Sequence, residues 1–130
     1  MVIDTSAICA ILFDEPEKPV FAASIEAAPR RLISAATHVE AALVMESRDP
    51  REGRVRLERL LAVTDAVVVA VTPLQAQLAI EAFRRYGRGR HVAGLNFGDC
   101  FAYALARDLG EPLLFKGNDF IHTDISRAVP

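Results

Sequence analysis

Four short apolar segments recur along the chain, separated by helix-length stretches, and this alternation restricts the fold more than any other feature. They are Met1–Asp4, Leu32–Ser34, Val67–Val71 and Leu113–Phe115. The Val67–Val71 run is β-branched and apolar, as expected of a parallel strand covered on both faces. Ile125 marks a candidate fifth strand. The pattern predicts an α/β fold: a three-layer α/β/α sandwich around a central, mainly parallel sheet of four to five short strands, in one domain over residues 1–130. A domain of this size buries about two thirds of its unfolded surface, so it needs no staples. Cys9 and Cys100 are too few for a disulfide framework or a zinc ribbon and lack CxxC spacing, so they read as small reduced hydrophobes.

The connecting stretches carry helix signals of their own. Thr5 or Ser6 can cap Ala7–Phe13, and Asp14-Glu15-Pro16 breaks it. Val20, Phe21, Ser24, Ile25 and Ala28 recur at helical spacing until Pro29. Further helices are expected from about Thr37 to Arg48 and from about Pro50 to Thr64. Thr72-Pro73 opens another, lined by Leu74, Leu78, Phe83 and Tyr86 and ended by Gly87. Phe97–Leu109 bears alanine and aromatic residues on most sides, which predicts a central helix stopped by Gly110. Asn118–His122 reads as a turn entering a short helix. The longest apolar runs, Ala7–Phe13 and Ala66–Val71, fall far short of the ~20 residues that span a bilayer. The opening Met-Val-Ile-Asp has no basic region and carries an acid at position 4, so no signal peptide and a cytoplasmic location are expected.

A formal charge of −2 argues at face value against a nucleic-acid partner. The total hides a division. Residues 1–47 carry net −4, residues 48–90 carry nine arginines against five acids, and residues 91–130 carry net −2. Thirteen of the fifteen cations are arginine, whose fork geometry suits phosphate. Arg84, Arg85, Arg88, Arg90 and His91 form a candidate phosphate-contacting segment, although a solvated helix end explains the same residues.

In an open α/β sheet, ligands bind beyond the carboxyl ends of the strands. Asp4 ends the first strand and Asp119 follows the fourth by a few residues. Asp99 opens the central helix, and Glu40 lies one turn into the helix after the second strand, although spacing alone does not prefer it to Glu46. Four carboxylates from distant segments can therefore meet in one cleft, where like charges raise one another's pKa. A hard divalent cation, Mg²⁺ or Mn²⁺, with oxygen ligands resolves that conflict. Helix starts beside Asp4 and Asp99 are also expected to favour their ionised forms. Asp99 and Asp119 have an ordinary alternative as helix-start and turn residues, whereas an acid ending a buried strand, as Asp4 does, has little structural use. His38 and His122 read as structural or exposed residues.

These residues fall into a recognisable order. Val2-Ile3-Asp4-Thr5-Ser6, Ser34–Glu40 (SAATHVE), Asn96–Ala106 (NFGDCFAYALA) and Leu113–Phe120 (LLFKGNDF) together resemble the PIN-domain nucleases, and more narrowly the VapC-type toxins of bacterial toxin–antitoxin pairs. The likeness covers essentially the whole chain. It implies a metal-dependent endoribonuclease that inhibits growth until neutralised, using one or two Mg²⁺ or Mn²⁺ ions per site to hydrolyse RNA and leave a 5′-phosphate. Asp4, Glu40 and Asp99 match the family's metal-binding acids, and Asp119 matches a fourth, more variable one. Thr5 and Ser6 match hydroxyl positions that orient a ligand water or the attacking one. The resemblance also implies a VapB-like antitoxin as partner, a homodimer, and a heterotetramer or larger assembly with the antitoxin. The apolar faces of residues 7–13 and 20–28 are candidate dimer surfaces, and core packing accounts for them as well.

Two rivals remain open at this level. A receiver-type phosphoacceptor domain has a similar size and pattern but needs an Asp ending a central strand, where Val67–Val71 runs into Thr72-Pro73. A PIN-fold module that only binds a partner predicts loss of an acid, and all four positions are acidic.

Overall fold

The computed structural model describes residues 1–129. The four expected strands form in shorter versions: β1 (Val2–Ile3), β2 (Leu32–Ser34), β3 (Val67–Val69) and β4 (Leu113–Leu114). They make one parallel sheet in the order β3-β2-β1-β4, with Val2 opposite both Leu32 and Leu113. Strands of two residues hold because their flanks continue the ladder. The Leu32 amide donates to Met1 O at 2.9 Å, the Val2 amide to Pro112 O at 2.8 Å and the Asp4 amide to Leu114 O at 2.9 Å. The expected fifth strand is reduced to one parallel bridge between Leu113 and Arg127, beyond β4.

Alternation along each strand divides the core in two. Val2, Leu32 and Leu113 face a cluster built with α5 (Pro73–Tyr86) and α6 (Phe97–Leu109). Ile3, Ile33 and Leu114 face the other, built with α1 (Thr5–Leu12), α2 (Lys18–Ala27), α3 (Ala35–Arg48) and α4 (Gly53–Val63). The central position expected for Phe97–Leu109 is observed: Asp99, Cys100 and Ala102–Ala106 are all buried, and the helix ends at Gly110 in the left-handed conformation, φ 64°.

Three expectations change. β3 lies at the sheet edge and is not covered on both faces; Val67 and Val68 are 56% and 41% exposed. An edge strand is paired on one side only, so β-branched composition alone does not distinguish it from an interior one. On α5 the buried face is Gln75, Ala79, Ala82 and Tyr86, while Leu74 and Phe83 are exposed. Small side chains let α5 approach the alanine-rich α6 closely, which turns its larger apolar residues outward. Finally, Ala7, Ile8, Ala10, Ile11, Leu12, Phe21 and Ile25 are all core residues, so most large apolar side chains of α1 and α2 pack within the chain, while Val20 is 56% exposed.

Candidate active site

Parallel strands send every following segment out at the same edge. The adjacent strands β2, β1 and β4 therefore deliver α3, α1 and the Asp119 loop to one side of the sheet. Helix α6 runs back toward the opposite edge before entering β4, which leaves its first turn, with Asp99, at the carboxyl side.

Asp4 is buried, 3% exposed, and caps α1. Its Oδ2 accepts the Ser6 amide at 2.9 Å and the Ser6 hydroxyl at 2.5 Å. The acid thus has the structural use that its position in sequence does not reveal. Ser6 Oγ in turn accepts the Lys116 amide at 3.0 Å, tying the end of β4 to the start of α1. Asp4 Oδ1 is buried and has no hydrogen-bond partner among the described residues. Glu40 Oε2 accepts the Thr5 hydroxyl at 2.5 Å, and the Glu40 carboxylate lies against Gly98 in the first turn of α6. The Thr5 and Ser6 hydroxyls therefore each donate their proton to a carboxylate of the site.

Asp99 belongs to a reciprocal cap. Asn96 Oδ1 accepts the Asp99 amide at 2.9 Å, and Asp99 Oδ2 accepts the Asn96 amide at 2.8 Å. Asp119 is exposed on the turn before a short 3₁₀ helix, Phe120–His122. That turn is anchored by Phe120, buried with its ring 5.0 Å from that of Phe115.

Electrostatics joins the four acids. Burial pushes the Asp99 carboxyl up to about 7, and the charges of Asp4, Asp119 and Glu40 add to the rise against the opposing Asn96 amide. Burial also raises Asp4, with Glu40 adding to it and the Ser6 hydrogen bonds opposing. Desolvation raises both carboxyls despite the helix starts beside them. Among the described residues, no three Asp, Glu, His or Cys side chains are drawn into a ready-made ligand cluster. Thr5 holds one oxygen of Glu40 and Asn96 holds one of Asp99, while mutual repulsion opposes closer approach. The donor set is nonetheless all oxygen, and the buried, unpartnered Asp4 Oδ1 offers a free lone pair. Those features fit a hard divalent cation.

The basic segment borders this edge. Loop 88–94 is closed at its base by the Arg88 amide on Leu95 O and the Leu95 amide on Tyr86 O, both 2.9 Å, just before Asn96. Arg84 pairs with Glu81 at 3.3 Å; Arg85 pairs with Asp124 at 3.5 Å and lies over the Tyr86 ring. Arg90 is exposed above Phe83, His91 Nδ1 accepts the Ala93 amide at 3.1 Å, and Arg88 has no ion pair among the described residues. His38 is half-buried and His122 exposed. Cys100 is buried and Cys9 half-buried, each thiol pushed up to about 11 by burial, consistent with packing roles.

Three contributors escape a reading of the sequence. Asn96 is legible in principle, since Asn-x-x-Asp has capping-box spacing. The Lys116 side chain braces the α1–α2 loop through Glu15 at 2.8 Å and Glu17 at 3.1 Å, a long-range contact with no local signal. Gly98 carries none either.

An α/β domain with acids at the end of β1 and on α3 and α6, Asp4 and Asp99 buried and Glu40 half-buried, defines a protein with an acidic, oxygen-donor site at the carboxyl edge of a parallel sheet. Comparison with known proteins narrows it. The PIN domain model matches residues 1–126. Ribonuclease VapC30 of Mycobacterium tuberculosis is 52% identical over 126 residues, covering 97% of this chain and 96% of that protein. Ribonuclease VapC of Mycolicibacterium smegmatis is 49% identical over 126 residues, covering 97% and 98%. The crystal structure of Mycobacterium tuberculosis VapC20, described as a sarcin–ricin-loop-cleaving toxin, superposes with a TM-score of 0.79 at 18% identity, covering 99% of this chain and 98% of that one, a likeness of fold. The chain belongs to the PIN-domain family, within its VapC ribonucleases.

Proposed function

We propose that this ribonuclease is the toxin of a toxin–antitoxin pair and an endonuclease that hydrolyses RNA phosphodiesters with divalent metal at the Asp4–Glu40–Asp99 edge. The observation that carries the reading is the buried, unpartnered Asp4 Oδ1 beside two further acids, one of them held near neutrality by burial and by its neighbours' charge. Asp4, Glu40 and Asp99 would hold Mg²⁺ or Mn²⁺, one ion or two, with Asp119 assisting from its exposed turn. A divalent ion held by these acids would supply an acidified water and charge neutralisation at the phosphoryl oxygens. Thr5 and Ser6 position Glu40 and Asp4 through the hydrogen bonds they donate. Asn96 orients Asp99 and keeps one of its oxygens available. Arg88 and Arg90 contact phosphates of the incoming strand at the rim, countering the negative charge of the cleft. Residues 1–130 act as a single PIN domain.

VapC toxins work with VapB antitoxins, and a VapB-like antitoxin is the partner expected here, in a heterotetramer or larger assembly. A homodimer is supported by the face of α5 and α6, where Ile80, Phe83, Phe97 and Phe101 line an apolar groove of about 570 Å³ and Phe97 is 79% exposed. The groove supports this surface in preference to α1 and α2, whose large apolar residues, Val20 excepted, are in the core. Among the described residues no helix is long and apolar enough to cross a membrane. A bacterial cytoplasmic location is proposed on the likeness to the VapC ribonucleases alone.

The test is cleavage of RNA by the purified chain. Excess EDTA is expected to stop it, and Mn²⁺ or Mg²⁺ to restore it. RNA left intact with metal present would instead favour a PIN-fold module that only binds a partner.

A further inference from the structure

Gly98 stands between Phe97 and Asp99 in the first turn of α6, and its backbone is helical. It is not among the glycines with positive φ, which are Gly89, Gly94, Gly110 and Gly117. Nothing in the conformation of this turn therefore requires glycine, and in a helix interior alanine is the better former. The requirement comes from across the cleft. A Cβ at position 98 would lie within 2.6 Å of both Cδ and Oε2 of Glu40, with Oε1 also in collision. The Glu40 carboxylate occupies the space an alanine side chain would fill, held from the other side by the Thr5 hydroxyl at 2.5 Å. Glu40 comes from α3, Thr5 from α1 and Gly98 from α6, so the missing side chain sets how closely three helices bring their polar groups together.

We propose that Gly98 is a positioning residue for the nuclease site: its bare Cα admits the Glu40 carboxylate to the first turn of α6 beside Asp99, and any larger residue drives that carboxylate out of the ligand set. The proposal rests on the metal-dependent reading above. The colliding atoms are the far end of a flexible side chain, not backbone, so the carboxylate swings away while the helix stays in place. The consequence is an opposed pair of effects. Alanine at 98 leaves the fold intact or firmer and weakens the site.

The experiment compares the full-length wild type with Gly98→Ala, Glu40→Asp and the double variant, reading thermal midpoint in EDTA and Mn²⁺ affinity by calorimetry. For Gly98→Ala a midpoint at or above wild type is expected, together with a loss of Mn²⁺ affinity of about 10–100-fold, the range for residues that orient metal ligands. Aspartate is shorter by one methylene and withdraws the carboxylate from the new Cβ. Glu40→Asp should therefore weaken Mn²⁺ binding in the wild-type background and cause little or no further loss in the Gly98→Ala background. Mn²⁺ affinity of Gly98→Ala equal to wild type would overturn the positioning role and leave the metal reading standing. Strictly additive losses in the double variant, or a lowered midpoint paralleling the affinity loss, would also overturn it, since both describe a general packing defect. Absence of Mn²⁺ binding by the wild type would overturn the metal reading itself, and the role of Gly98 with it.

Discussion

Asp99 closes the cap of α6 through one oxygen, while burial and three neighbouring carboxylates hold it near neutrality at about 7. An acid raised above its unfolded value keeps its proton in the native state when the unfolded chain has already lost it. Between about pH 4 and 7 the native state therefore binds more protons, and stability falls as pH rises through that window. A displacement of this size corresponds to a few kcal/mol. The metal-free protein should melt several degrees lower at pH 8 than at pH 5.5, and Asp99→Asn should flatten that difference; scanning calorimetry in EDTA reads both. Mn²⁺ should raise the midpoint more at pH 8 than at pH 5.5, because it competes with the proton for the same oxygens. For catalysis, Asp4→Asn and Asp99→Asn are each expected to cut RNA cleavage by at least about 100-fold, the scale of losing one preorganised electrostatic partner. Circular dichroism should show the fold retained, since an amide oxygen can still accept the Ser6 or Asn96 amide. Full cleavage by either variant would remove the acids from the mechanism.

At the scale of elements, the site is assembled from helix starts. Asp4 caps α1, Ser34 caps α3 and Asn96 caps α6, and the first and last of these caps also fix carboxylates of the site. Asn96→Ala should cost about 1 kcal/mol of stability, the usual value of an N-cap, and Asn96→Ser should recover most of it. Because Asp99 Oδ2 accepts from the main-chain amide of residue 96, which alanine retains, cleavage should fall no further than stability accounts for; denaturant melts alongside kinetics separate the two. Helix signals of this kind were largely legible. Thr72-Pro73 at the start of α5, Pro16 and Pro29 as breaks and Gly110 at the end of α6 all reflect local backbone chemistry that neighbouring residues carry, whereas α1 is capped by Asp4 in place of the expected Thr5 or Ser6, and α3 begins two residues before Thr37 under a Ser34 cap. The position of β3 and the buried face of α5 were not. Three valines read alike at an edge or in the middle of a sheet, and which face of α5 is buried depends on the alanines of α6, a distant segment.

Across the whole molecule, charge and apolar surface are segregated. The acids line the carboxyl edge, the arginines of loop 88–94 border it, and the exposed Phe97 begins the same helix that carries Asp99. Replacing Arg88 and Arg90 with alanine should weaken RNA binding and reduce the slope of log K against log salt by about 0.7 for each phosphate no longer neutralised. An unchanged slope would return both to the solvated surface. Ile80→Glu on the apolar face of α5 should lower the mass seen in sedimentation from dimer to monomer if the α5–α6 groove is the dimer interface. A dimer that persists would exclude that face.

The alternation of strand and helix and the order of the four acids follow from the chain read in one dimension, because each depends on residue type and short spacing. The resemblance of those motifs to the VapC ribonucleases lay in the same letters. What the folded chain alone decided is how segments far apart in sequence meet. Ser6 joins β4 to α1, Lys116 braces the α1–α2 loop, the Thr5 hydroxyl holds Glu40, and Gly98 makes room for that carboxylate. Burial belongs to this second group as well. A carboxyl held near pH 7 requires that three layers close over Asp99, and no local pattern of residues encodes how completely they do.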